Sequence, residues 1–271
     1  MDAKGTNPDA AAGPEAVRRI LIEHIGGAAR SLEGDVSDPV ETVHSFRKRM
    51  KRARAGIRLI SDADELELRA VEHSCRDVAK TLSDLRDLDV MIGTLRSQTK
   101  KVGAWPVGFH DVLAAERAKV LSRGVLSEST RRELIVQLES VRGALAALPM
   151  GPIRDSDLKD ALKKSHRKAR SASRHVGEAA TDEHFHDLRK RAKREFYQRE
   201  LLTKAISLHH PRRTRHLDEI CDLLGDQQDI AVLRSKAAAT GYLSPLLDEW
   251  LVKQRDRCRR KILKLTKALY R

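Results

Sequence analysis

Six lysines and arginines follow one histidine within the twelve residues Val43–Arg54, VHSFRKRMKRAR. Such side chains do one kind of chemistry well. They donate charge-assisted hydrogen bonds to anions, Arg as a planar fork and Lys as a point charge. At about 100° per residue on a helix, His44, Arg47, Lys51, Arg54 and Arg58 fall along one stripe, with Lys48 and Arg52 beside it. Val43, Phe46, Met50, Ala53, Ile57 and Ile60 make a neighbouring apolar stripe that would anchor the helix. Like charges three and four residues apart repel by tenths of a kcal/mol per pair. A ladder of them implies a compensating anion.

The phrase returns as FHDLRKRAKREF, Phe185–Phe196, at an offset of 142 residues. His186, Arg189, Lys190, Lys193 and Arg194 then match His44, Arg47, Lys48, Lys51 and Arg52. A second pair keeps the same register: LSDLRDLDV from Leu82 meets LGDQQDIAV from Leu224, so Asp84 matches Asp226 and Asp87 matches Asp229. Two phrases in one register read as a tandem duplication. The second half carries two further basic rows, Lys163, Arg167, Arg170 and Arg174, and Arg257, Arg260, Lys264 and Lys267, without first-half counterparts of equal strength.

The elements that must position these groups are helices. Val17, Ile20, Leu21, Ala28 and Leu32 give a first helix over about 15–33 its apolar face, and the first basic phrase rides a second helix over about 40–60. A third helix of about 30 residues is predicted from a cap at Asp62–Glu65, broken by Gly103 and Trp105-Pro106, and a fourth follows to about Leu126. Thr130-x-x-Glu133 resembles a capping box and predicts a connecting helix over 131–148. Pro149, Gly151 and Pro152 then divide a first half, 15–149, from a second, 150–271, behind a segment 1–14 expected to be disordered. The second half repeats the plan, with Pro211 and Ser244-Pro245 opening its last two helices. With no β-rich window, the expectation is an all-α protein in which each half is a four-helix bundle.

Bulk properties agree. The chain has 271 residues and a net charge of +14, of which +12 lies from Met150 onward. That excess points to a polyanionic partner: nucleic acid, polyphosphate or an acidic membrane. Aromatic residues are 3% and do not interleave with the basic runs, so no base-stacking platform is visible. Cys75, Cys221 and Cys258 lack the spacing of a disulfide framework or zinc site and suit a reducing, cytoplasmic setting. No apolar run is long enough to span a membrane.

The His-x-x-Arg-Lys-x-x-Lys-Arg phrase in each half, with an acidic phrase downstream of each, resembles the CHAD family, the conserved histidine α-helical domain, over nearly the whole chain from about residue 15. The resemblance implies two four-helix bundles related by a pseudo-two-fold axis, a basic pore or groove between them, and a module that binds inorganic polyphosphate rather than an enzyme. One departure stands out. Phe196 replaces a basic residue that the family usually has, and Glu200 follows on the same face, which shortens the second ladder.

Asp84, Asp87, Asp89, Asp226 and Asp229 admit two roles: a divalent-metal pair for phosphoanhydride hydrolysis, or partners that aim the cations of the second helix in each half. Their placement on separate helices favours the second role, so neither metal nor cofactor is expected. Polyphosphate is the expected partner, gripped first by the matched residues and then by the two second-half rows. Sequence-nonspecific nucleic-acid binding and a structural role on a storage granule are the rivals. His44 and His186, crowded by cations, should hold depressed pKa values that a bound polyanion restores.

Overall fold

The computed structural model describes residues 13–34, 36–64, 68–102, 105–177 and 179–270. Among them are ten helices and no strand. They are α1 (Gly13–Arg30), α2 (Pro39–Asp64), α3 (Arg69–Thr81), α4 (Ser83–Val102), α5 (Phe109–Ser122), α6 (Glu128–Ala146), α7 (Asp155–Ser173), α8 (Asp182–Ile206), α9 (Pro211–Ala239) and α10 (Pro245–Leu269). The starts of α1, α3 and α7, α9 are 142 residues apart, as are the ends of α2 and α8. Of the N-terminal segment read as disordered, residues 1–12 lie outside the described residues, and Gly13-Pro14 already belong to α1. The break expected at Gly103 and the cap residue Glu65 also lie outside them.

Three details differ from the sequence reading, each for a local reason. The long third helix is two, α3 and α4, separated at Leu82. At this break the Ala79 carbonyl accepts from the Arg47 guanidinium (3.0 Å) and from the Ser83 hydroxyl (3.2 Å). Side-chain bonding of this kind bends helices. The matching stretch of α9 runs unbroken. Next, α6 starts before Thr130, because Ser127 caps it: the Ser127 Oγ accepts from the Thr130 N–H (3.2 Å), and the Thr130 hydroxyl donates instead to Gly124 O (2.8 Å). Finally, α6 does not merely connect. It buries Leu134, Leu138, Val141 and Leu145 against α1 and α3, while α5 packs along α4. These two short helices flank the first half much as the single long α10 flanks α9.

The halves do not keep separate cores. The largest apolar cluster joins Leu21, Phe46, Met50, Ile57 and Leu138 to Leu158 and Leu162 of α7 and Leu201 and Leu202 of α8. A second cluster brings Leu88, Leu95 and Phe109 of α4 and α5 onto Leu233 and Ala237 of α9. A third, within α7–α10, centres on Phe185, Leu188, Leu217, Ile220 and Ile262. Close approach at the junction rests on Gly56, where an added Cβ would run into the side-chain ends of Leu21 and Leu201.

Candidate functional site: a cationic cleft closed by four helices

Four helices close a ring: α2 packs on α8, α8 on α9, α9 on α4 and α4 on α2. The apolar stripe of α2 (Val43, Phe46, Met50, Ala53, Ile57) and that of α8 (Phe185, Leu188, Ala192) are buried. The basic stripes beside them are thereby turned toward the ring.

Lys51 marks its middle. The Lys51 side chain is open to water yet walled in by protein, the combination found on the floor of a groove. Burial, and then the charges of Arg47, Arg189, Arg86 and Lys193, push its pKa down to about 8. Those four residues come from α2, α4 and α8, so the ladders of the two halves meet here. His44 lies at one end, its pKa lowered by burial first and by Arg86, Lys48 and Lys51 after. His186 lies at the other, lowered by burial and then by Lys190 and Arg189, with its Nδ1 3.2 Å from Gln228 Oε1. A chain of felt charges therefore runs from His44 through Lys51 and Arg189 to His186, with Lys48 beside His44 and Lys190 beside His186.

The acidic phrases serve these cations. Asp87 bears on Arg47, and Arg189 on Asp229, so matched carboxylates stand beside matched guanidiniums. Burial raises the Asp229 pKa, and Arg189, Arg86 and Lys51 pull against that rise. Asp89 is buried and takes the Arg117 Nε at 2.6 Å, tying α5 to α4. Among the described residues no group of three or more His, Cys, Asp or Glu is placed to hold a metal ion. Arg47 and Arg189 each keep a buried Nε–H without a hydrogen-bond partner.

Other residues of the expected site lie elsewhere. Arg54 and Arg58 are tied to Glu72 of α3 at the far end of α2. Arg52 meets Glu200 (3.2 Å) and stands 5.8 Å over the Tyr197 ring. It lines a small hollow with His24 and Lys204, where burial and Arg52 push the His24 pKa down to about 4. Lys193 stays at the edge of the ring, close enough to bear on Lys51, but lies over Phe196 and Tyr197 (5.6 and 5.9 Å) and 3.7 Å from Asp222. Arg194 is half-buried, further round α8 than Lys193. The rows Lys163, Arg167 and Arg170 on α7 with Arg174 just past its end, and Arg257, Arg260, Lys264 and Lys267 on α10, are exposed; Arg257 lines a hollow with Ser97 and Gln98 of α4 and Asp226 of α9, and no described contact joins the other seven to the ring. Arg86 was not among the residues expected to bind. Its match in the second half is Gln228, so a search for repeated cations passes over it.

The model of one protein family, the CHAD domain, matches residues 19–238. The chain belongs to the CHAD domain family. The crystal structure of the CHAD domain from the plant Ricinus communis superposes with a TM-score of 0.67 at 18% identity, covering 99% of this chain and 96% of that one. PptA from Streptomyces chartreusis superposes with a TM-score of 0.66 at 15% identity, covering 96% of this chain and 98% of that one. No curated protein matches the sequence. At such identities the likeness shows that the CHAD fold is shared. No helix among the described residues is long and apolar enough to cross a membrane.

Proposed function

We propose that this CHAD domain binds inorganic polyphosphate in the four-helix ring and does not cleave it. The observation that carries the reading is Lys51, a water-accessible ammonium on which the charges of four other cations from three helices bear, with Asp229 the carboxylate described within its reach. A single strand of linked phosphates would supply the missing negative charge along the whole path from His44 to His186. The donors stand on packed helices, so little ordering remains to oppose binding. Arg47, Lys48, Lys51, Arg86, Arg189 and Lys190 make the main contacts, with the two histidines at the ends. Asp87 and Asp229 hold the guanidiniums in place, which gives these carboxylates a task other than metal-assisted hydrolysis.

Calorimetry of long-chain polyphosphate against triphosphate and RNA, over a salt series, tests this. Affinity for the long chain should fall log-linearly with salt, and Lys51→Ala with Arg189→Ala should weaken it several-fold per cation. RNA displacing polyphosphate at equal phosphate concentration would make the assignment too narrow. Release of inorganic phosphate that needs a divalent metal and is lost in Asp87→Ala and Asp229→Ala would overturn the non-catalytic part.

A further inference from the structure

α9 packs against both α4 and α10, and a hollow of about 240 Å³ is lined by all three. None of the ring's cations lines it. Leu223 and Asp226 of α9 match Thr81 and Asp84 at the offset of 142. Thr81 and Asp84 line a hollow of about 280 Å³ in the first half, beside Arg123. The duplicated fold therefore leaves an opening at the same place in each half, and what differs is the lining. The first offers one cation. In the second, α10 brings Gln254, Arg257 and Lys261 to the wall, and α4 brings Gln98. Arg257 and Lys261 are exposed neighbours one helical turn apart, and among the described residues neither forms an ion pair. Gln98 is 8% exposed, and its Oε1 is buried without a hydrogen-bond partner. A buried acceptor is rarely left without a donor, and the hollow is where one can arrive.

We propose that this hollow is a second ligand site, one that takes a small phosphorylated sugar. The two neighbouring cations of α10 match the near-dianionic charge of a phosphate monoester, with Arg257 as a fork to two oxygens and Lys261 as a point charge. Asp226 and the Gln98 carbonyl are acceptors and call for donors on the same ligand; an ionised carboxylate has room for several. The hydroxyls of a sugar supply them. A polyphosphate strand supplies none, and Asp226 repels it. Leu223 and Ile230 add an apolar wall for the C–H face of a sugar ring. No aromatic ring lines the hollow, so a nucleotide base has nothing to stack on. At about 240 Å³ the space falls short of the roughly 300–1,000 Å³ of pockets for drug-sized ligands, which suits a monosaccharide better than a nucleotide. This site is independent of what the ring binds.

The test is calorimetry of the full chain with glucose 6-phosphate, glucose, inorganic phosphate and adenosine monophosphate. Glucose 6-phosphate should bind more tightly than each of the others, by about tenfold or more. Arg257→Ala/Lys261→Ala, at two exposed positions, should lose about tenfold or more of that affinity and keep the affinity for polyphosphate. Lys51→Ala/Arg189→Ala in the ring should do the opposite. Gln98→Leu gives up a carbonyl that has no partner to lose, so it should hold or raise Tm while weakening glucose 6-phosphate by about fivefold. Asp226→Asn should weaken glucose 6-phosphate and strengthen inorganic phosphate, whereas at a plain patch of positive charge both would bind more tightly. Cys258 lines the hollow, and Cys75 and Cys221 are buried, so saturating glucose 6-phosphate should slow maleimide labelling of Cys258. The assignment fails if glucose 6-phosphate binds no more tightly than inorganic phosphate or adenosine monophosphate, if the ring variant loses it as much as the α10 variant, or if polyphosphate protects Cys258 equally well.

Discussion

Lys51 and Lys193 occupy matching positions in the two basic phrases, yet their surroundings differ. Lys193 rests on two aromatic rings near Asp222, whereas burial first and then the surrounding cations push Lys51 down to about pKa 8. An unfolded lysine titrates near 10.4. Between about pH 8 and 10.4 the unfolded chain therefore binds more protons, and stability rises with pH across that window. Below it the full cost of the crowded charge is present. Lys51→Met should then raise Tm at pH 7, by about 1–3 °C, because solvent screening at an open site keeps the gain below about 1 kcal/mol. The same change should weaken polyphosphate binding, so stability and affinity move oppositely. In the wild type, polyphosphate should restore the Lys51 proton. Calorimetry near pH 8 in buffers of different ionisation enthalpy should register proton uptake, and Lys51→Arg should abolish it. The histidines act in a lower window. Burial, more than the neighbouring cations, lowers both, so polyphosphate affinity should rise toward pH 6 and the rise should vanish in His44→Ala/His186→Ala.

Whole helices decide which cations stay available. α8 carries Glu200 into the path of α2, where it takes Arg52 from the ladder. Glu200→Gln should release that guanidinium. The pair is part-exposed, so the expected gain in polyphosphate affinity is modest, about two- to fivefold, with a salt slope steeper by about one. Unchanged affinity and slope would show that Arg52 points away from the ligand whether or not it is paired. The limits of the sequence lie at this scale too. The second helix of each half, α2 and α8, was legible because apolar and basic stripes share one period, and matching residues fell 142 apart. The break at Leu82 was not, because it depends on Arg47, 32 residues away in sequence, reaching the Ala79 carbonyl. Nor was the direction of the α7 and α10 rows. Helical spacing groups Arg167 with Arg170 and Arg174, but only packing, such as Tyr270 on His166, says that the group looks outward. Arg54 and Arg58 belonged to the ladder by spacing and left it when α3 brought Glu72 alongside.

For the molecule as a whole, the ring exists only because the halves are fused through their interiors. Leu158, Leu162, Leu201 and Leu202 lie in the cluster built mainly by α1, α2 and α6, and Leu233 and Ala237 lie in the one built by α4 and α5. Neither half can expose those side chains to water without large loss, at about 25 cal/mol per Å² of apolar surface. Two independent domains in a chain of this length would unfold in two steps, but a shared interior predicts one. Urea unfolding followed by tryptophan fluorescence, which reports Trp105 and Trp250 against the α9–α10 cluster, should coincide with far-ultraviolet circular dichroism, which reports every helix. Leu202→Ala, a second-half change in the first-half cluster, should cost about 2–5 kcal/mol and move both signals together. Since the proposed ligand touches α2, α4 and α8 at once, saturating polyphosphate should raise the single midpoint by mass action. Two separated midpoints, or a ligand shift seen by one probe alone, would mean that the halves fold apart and that the cleft is assembled only when polyphosphate draws them together.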